Sequence, residues 1–137
     1  MASLTLEEGN LASARFNIEK ALELRRHFYK RDNDSVATSL NHLGRVMKES
    51  GDVTAALHAF QRSEKITRRE FGQVPHPITA AALYGIGEAL ITSHRLGEAM
   101  PLLDESLRMR RTFLQPNHPD LRLSIEIVEH LKASQAN

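Results

Sequence analysis

The hexapeptide Gly51-Asp52-Val53-Thr54-Ala55-Ala56 has two echoes in the chain. They are Gly9-Asn10-Leu11-Ala12-Ser13-Ala14 and His94-Arg95-Leu96-Gly97-Glu98-Ala99, so the three copies are displaced by 42 and then 43 residues. From the alanine that ends each copy, small or apolar residues follow at i+4, i+7 and i+10: Ile18, Ala21, Leu24; Phe60, Ser63, Ile66; Leu103, Ser106, Met109. That spacing draws one stripe along a helix, whereas a strand would alternate at every second residue. Repetition at this period is the signature of an array of helical hairpins.

A second segment repeats with the first. Val36-Ala37-Thr38-Ser39-Leu40-Asn41-His42-Leu43-Gly44 lies over Thr79-Ala80-Ala81-Ala82-Leu83-Tyr84-Gly85-Ile86-Gly87, and more loosely over the nine residues from Leu121 to Glu129. Leu40, Leu43, Gly44 and Met47 share one helix face, as do Leu83, Ile86, Gly87 and Leu90. Between the helices stand Gly72-Gln73-Val74-Pro75-His76-Pro77 and Gln115-Pro116-Asn117-His118-Pro119. Proline suits a first helical position because it has no N–H to lose there. Asp32-Asn33-Asp34-Ser35 fills the same slot with side-chain oxygens that can cap orphan amides.

These signals predict a short helical tail at about 2–8 and helices at about 10–30, 34–50, 53–71, 77–93, 96–114 and 119–134. The connections are short enough to make neighbours antiparallel, so an all-α solenoid of stacked hairpins is expected. Residues 1–137 read as one helical repeat domain of about three repeats, with boundaries near 33/34 and 76/77. The helix at 119–134 reads as a cap, with Leu121, Ile125 and Val128 inward and Arg122, Glu126, Glu129 and Lys132 toward water.

Composition supports this reading. Hydrophobic residues make up 41% and charged residues 26%, within the range of an ordinary globular domain. A formal net charge of +1 signals neither a nucleic-acid binder nor an acidic tail. The absence of cysteine excludes a disulfide framework, thiolate metal sites and cysteine nucleophiles, and suits a cytoplasmic setting. The longest stretches without a charge fall short of the roughly 18 apolar residues of a membrane span, and the N-terminus lacks the pattern of a signal peptide.

The pattern Leu40-x2-Leu43-Gly44 followed by Ala56, Phe60 and Ser63 resembles the tetratricopeptide repeat signature. Leu83, Ile86-Gly87, Ala99, Leu103 and Ser106 echo it. The long helices and the His-Pro between units are similar to the extended repeats of kinesin light chains. The resemblance implies a right-handed superhelical solenoid and a non-catalytic scaffold that holds a protein or peptide partner on the wall of its first helices, with an asparagine often bonding the peptide backbone.

On that wall the candidate partner-binding residues are Asn41, Arg45, Lys48, Tyr84, Glu88 and Glu126, with Tyr84 as the aromatic anchor. A merely solvated helix face is the plain alternative. Gly44 facing Ala56, and Gly87 facing Ala99, are expected to allow close helix approach.

No enzyme motif is present: there is no glycine-rich phosphate loop, no Gly-x-Ser-x-Gly elbow and no H-E-x-x-H. His76 and His118 hold equivalent loop positions and read as structural. The other histidines lack metal-ligand spacing, so neither a metal site nor a cofactor is expected. Two other readings stay open. One is self-association through an N-terminal hairpin bearing Leu4, Leu6 and Leu11. The other is binding of an acidic or phosphate-bearing partner by the pairs Arg25-Arg26, Arg68-Arg69 and Arg110-Arg111; nucleic acid itself is not expected.

Overall fold

The computed structural model describes residues 6–29 and 34–136, with side chains described within 9–23 and 34–135. Six helices follow one another: α1 (Leu6–Tyr29), α2 (Asp34–Glu49), α3 (Val53–Phe71), α4 (Pro77–Thr92), α5 (Leu96–Phe113) and α6 (Pro119–Ala136). There is no strand among the described residues. Each helix packs on the next, and α2 also packs directly on α4. Two hairpins, α2/α3 and α4/α5, therefore stack between single helices α1 and α6. By the repeat, α2, α4 and α6 form one layer and α1, α3 and α5 the other.

The helix ends follow from local chemistry. Asp52 caps α3, its Oδ1 accepting from the Ala55 N–H at 3.1 Å. The two His-Pro steps are a shared capping device: His76 Nδ1 accepts from the Ile78 N–H at 3.2 Å, and His118 Nδ1 from the Asp120 N–H at 3.0 Å. The His76 ring also stacks on Phe71 with centroids 3.9 Å apart. Both histidines thus have the structural role expected of their equivalent positions. Gly51 and His94 turn the chain between the helices of the two hairpins, both with positive φ (92° and 60°).

At Gly9 the structure corrects the sequence reading. A break between a tail at 2–8 and a helix from 10 was expected, but α1 runs unbroken through Gly9. One glycine costs a helix only about 1 kcal/mol, and good helix formers such as Glu7, Glu8, Leu11 and Ala12 flank it. Leu4 and the capping residues Asp32 and Asn33 lie outside the described residues, as do the side chains of Leu6, Leu24, Arg25 and Arg26.

The core is a continuous seam of the expected stripe residues: Leu40, Leu43 and Met47 on α2, Ala56, Phe60 and Ile66 on α3, Ile86 and Leu90 on α4, and Ala99 and Leu103 on α5. The atoms nearest the glycines belong to the large residues of the stripe. A Cβ on Gly44 would lie 2.7 Å from the Phe60 ring, and one on Gly87 2.5 Å from Leu103. Each glycine therefore seats the large residue one turn beyond the alanine. Gly85 does the same from the other side, since its Cβ would stand 2.5 Å from the Phe60 ring. Phe60 is thus held between a glycine of its own hairpin and a glycine of the next.

On α6, Leu121 and Val128 are buried and Ile125 half-buried, while Arg122, Glu126, Glu129 and Lys132 are exposed, the inward and outward faces read from the sequence. Glu129 stands where α2 and α4 carry Gly44 and Gly87.

Candidate partner-binding wall

The six candidate residues sit on α2, α4 and α6, but their surroundings differ. Arg45 and Glu126 are exposed. Lys48 Nζ pairs with Glu88 Oε2 at 3.0 Å and ties α2 to α4 across the repeat boundary. Asn41 departs from the expected free position. It is 6% exposed, and its Nδ2 donates to the Ile78 carbonyl at 3.2 Å, fastening α2 to the first turn of α4. Its Oδ1 is buried without a hydrogen-bond partner among the described residues.

Tyr84 is half-buried, and the Arg110 guanidinium lies over its ring, 4.7 Å from the centroid. Arg110 in turn donates to Ser124 Oγ at 2.8 Å, so one side chain of α5 touches both α4 and α6. Burial, with the Glu88 charge adding to it, pushes the Tyr84 phenol above its ordinary pKa; Arg110 acts the other way, and Asp120 and Glu126 add smaller upward effects. Burial likewise lowers the Arg110 pKa from the usual guanidinium value, offset in part by Asp120, Tyr84 and Glu88. A cation over an aromatic face, away from water, contributes on the order of 1–2 kcal/mol and holds the ring in one orientation.

Arg110 is the residue that sequence reasoning misplaced. It was grouped with Arg68 and Arg69 in a recurrent pair, yet with the displacement of 43 that relates the second and third hexapeptides, Arg110 falls on Thr67 and Arg111 on Arg68. The pairs are out of phase by one position, a shift of about 100° on a helix. Thr67 is fully buried and Arg110 is 9% exposed, whereas Arg69 and Arg111 are exposed.

Arg68 is committed elsewhere. It bonds Glu64 on its own helix and Glu105 on α5, and these carboxylates raise its pKa despite partial burial. With Arg110 buried and Arg68 paired, the two described pairs do not form a regular basic ladder. Among the described residues no group of three or more His, Cys, Asp or Glu is placed to hold a metal ion, and no helix is long and apolar enough to cross a membrane.

Stacked helical hairpins with a seam of alanine, glycine and one large residue per hairpin define an all-α helical repeat solenoid. Comparison with known proteins adds the family. A profile described as tetratricopeptide repeat matches residues 1–69, and a second of the same description matches 79–120. The chain belongs to the tetratricopeptide repeat family.

Among solved structures it resembles a putative kinesin light chain of Podosopora anserina with nearly identical TPR-like repeats, at 17% identity and a TM-score of 0.78. A point variant of that protein matches at 18% identity and a TM-score of 0.81. Each match covers 95% of this chain but 61% of the other, so the chain spans about three fifths of the structures it matches. No curated protein matches. Tetratricopeptide repeats generally mediate protein–protein interactions, and the family is one of non-catalytic scaffolds.

Proposed function

We propose that this chain is a non-catalytic binding module that holds an extended segment of a partner protein along the wall of α2, α4 and α6. The observation that carries this reading is the fixed Tyr84 ring. Its face is backed by a buried cation, and it is flanked by the Lys48–Glu88 pair. An aromatic side chain already immobilised loses little rotamer freedom on binding, so more of its contact energy reaches the affinity. Arg45 and Glu126, both exposed, offer one charge of each sign to orient the segment. Asn41 acts from beneath, holding α2 against α4. The absence of an all-basic lining argues for a segment of mixed charge with an apolar anchor, not for one led by a terminal carboxylate.

The test is selection of linear peptides from a random library on the intact chain, followed by calorimetry of the selected peptides. Tyr84→Ala is expected to weaken them at least about tenfold, and Arg45→Glu or Glu126→Lys to weaken them less. Peptides that bind all three variants as they bind the parent chain would place the site elsewhere.

A further inference from the structure

α2 and α4 lie against each other, tied by the Asn41 amide on the Ile78 carbonyl and by the Lys48–Glu88 ion pair. Neither tie recurs one repeat on. With Val36, Thr79 and Leu121 in register, Tyr84 stands in the place of Asn41 and Asp120 in that of Ile78, while Ile91 and His130 replace Lys48 and Glu88. α6 accordingly packs on α5 and has no comparable packing on α4.

Arg110 occupies the resulting gap. At this point of the repeat α3 carries the small, fully buried Thr67, whereas α5 sends a guanidinium over the Tyr84 ring and onto Ser124 of α6. Among the described residues the Arg110 side chain makes that one hydrogen bond and no ion pair. Its other N–H groups are not sealed in, since the described side-chain atoms buried without a partner are Asn41 Oδ1, Ser63 Oγ and Thr79 Oγ1. Across the gap Leu123 is 51% exposed, a large apolar side chain in the place that Thr38 holds on α2 and Ala81 on α4.

We propose that the gap between α4 and α6 is the pocket for the apolar anchor of the bound segment, with Tyr84 and Leu123 as its sides and Arg110 as its floor. The side chain that enters is a large aliphatic one. A main-chain carbonyl beside it accepts from Arg110, giving a partner to donors that are otherwise unspent. The next residue of the segment is lysine or arginine. Asp120 and Glu126 are exposed, have no ion pair among the described residues, and act with Glu88 on the Tyr84 phenol. An acidic neighbour would be repelled there and a basic one attracted. The inference rests on the wall reading above and adds where along the wall the anchor sits and what flanks it.

Peptides with random flanks around a central Leu and Lys, Leu and Glu, or Ala and Lys, each pair in either order, test this on the intact chain. The Leu and Lys set should be enriched over both others. Calorimetry of the enriched peptides should show binding at least about tenfold weaker to L123D. L123T, which installs the residue that α2 has at this position, should also weaken binding, and it replaces L123D if circular dichroism shows that variant unfolded. The Arg110 Nε–H resonance should shift when the peptide binds and exchange more slowly with solvent.

Peptides that lose affinity in Tyr84→Ala but bind L123D and L123T as they bind the parent chain would leave the wall as the binding surface and overturn the pocket. Equal enrichment of the Leu and Glu set or the Ala and Lys set, or an Arg110 resonance unmoved by the peptides, does the same. Peptides indifferent to Tyr84→Ala, or no enriched peptide at all, would end the wall reading itself and the pocket with it.

Discussion

Gly85 and Phe60 show how single residues set the distance between repeats. The Phe60 ring fills the space where Gly44 and Gly85 would carry side chains, so one methyl group at position 85 must move either the ring or α4. Gly85→Ala should lower stability by about 1–3 kcal/mol, and F60L, which puts in the side chain that serves the next repeat, should recover part of that loss in a double-mutant cycle read by thermal melting.

Equivalent serines also differ in what they are worth. Ser106 Oγ donates to the Ala80 carbonyl at 2.8 Å, whereas Ser63 Oγ is buried with no partner among the described residues. S106A should therefore cost about 1 kcal/mol in denaturant unfolding, and S63A should be neutral or stabilising. The raised pKa of Tyr84 has a consequence at alkaline pH. The folded state favours the neutral phenol, so the stability this contributes is present below the ordinary phenol pKa and is lost as pH rises through the higher folded value. Ultraviolet titration should show a late tyrosine ionisation that Y84F removes.

At the scale of the element, the two hairpin turns solve one problem with unequal residues. Gly51 adopts a positive φ freely, but His94 at φ 60° pays the steric cost of a Cβ in the left-handed region. H94G should raise stability by about 0.5–1 kcal/mol, the relief of that strain exceeding the added freedom of the unfolded chain, and a melting midpoint no higher than the parent's would refute this. The helix starts at Pro77 and Pro119 were legible in the sequence because a proline acts on the first turn alone. Gly9 was misread for the converse reason: a turn at this point of the repeat needs helices on both sides that pack together, and the hexapeptide does not carry that information.

Across the whole molecule, ion pairs tie the repeats within each layer, Lys48–Glu88 between α2 and α4 and Arg68–Glu105 between α3 and α5. The last helix is tied by Arg110. Because a solenoid is stabilised by neighbour contacts, loosening α6 should not unfold the hairpins before it. R110M removes the bond to Ser124 and leaves that hydroxyl, 1% exposed, unsatisfied. Hydrogen exchange should accelerate in α6 by an amount equivalent to about 1–3 kcal/mol, and R110M with S124A should recover most of it, because replacing both partners of a buried polar contact costs less than removing one. Uniform acceleration across α2 to α6 would instead mean that the array unfolds as one unit.

Periodicity, the recurrent alanine and glycine, and the helix-start residues were sufficient to establish the number of helices from residue 34 onward, their order and their inward faces. These depend on which side chains recur along a single helix, and a linear pattern records that directly. The fate of the polar residues was decided by the tertiary structure. Asn41 turns to the Ile78 carbonyl, Arg110 lies under Tyr84 rather than in solvent, and Phe60 rests on a glycine 25 residues further along the chain. Whether a polar group on a helix meets water or another helix depends on the rotation and spacing of neighbouring repeats. A change of one position in register, about 100° around a helix, is enough to exchange the two.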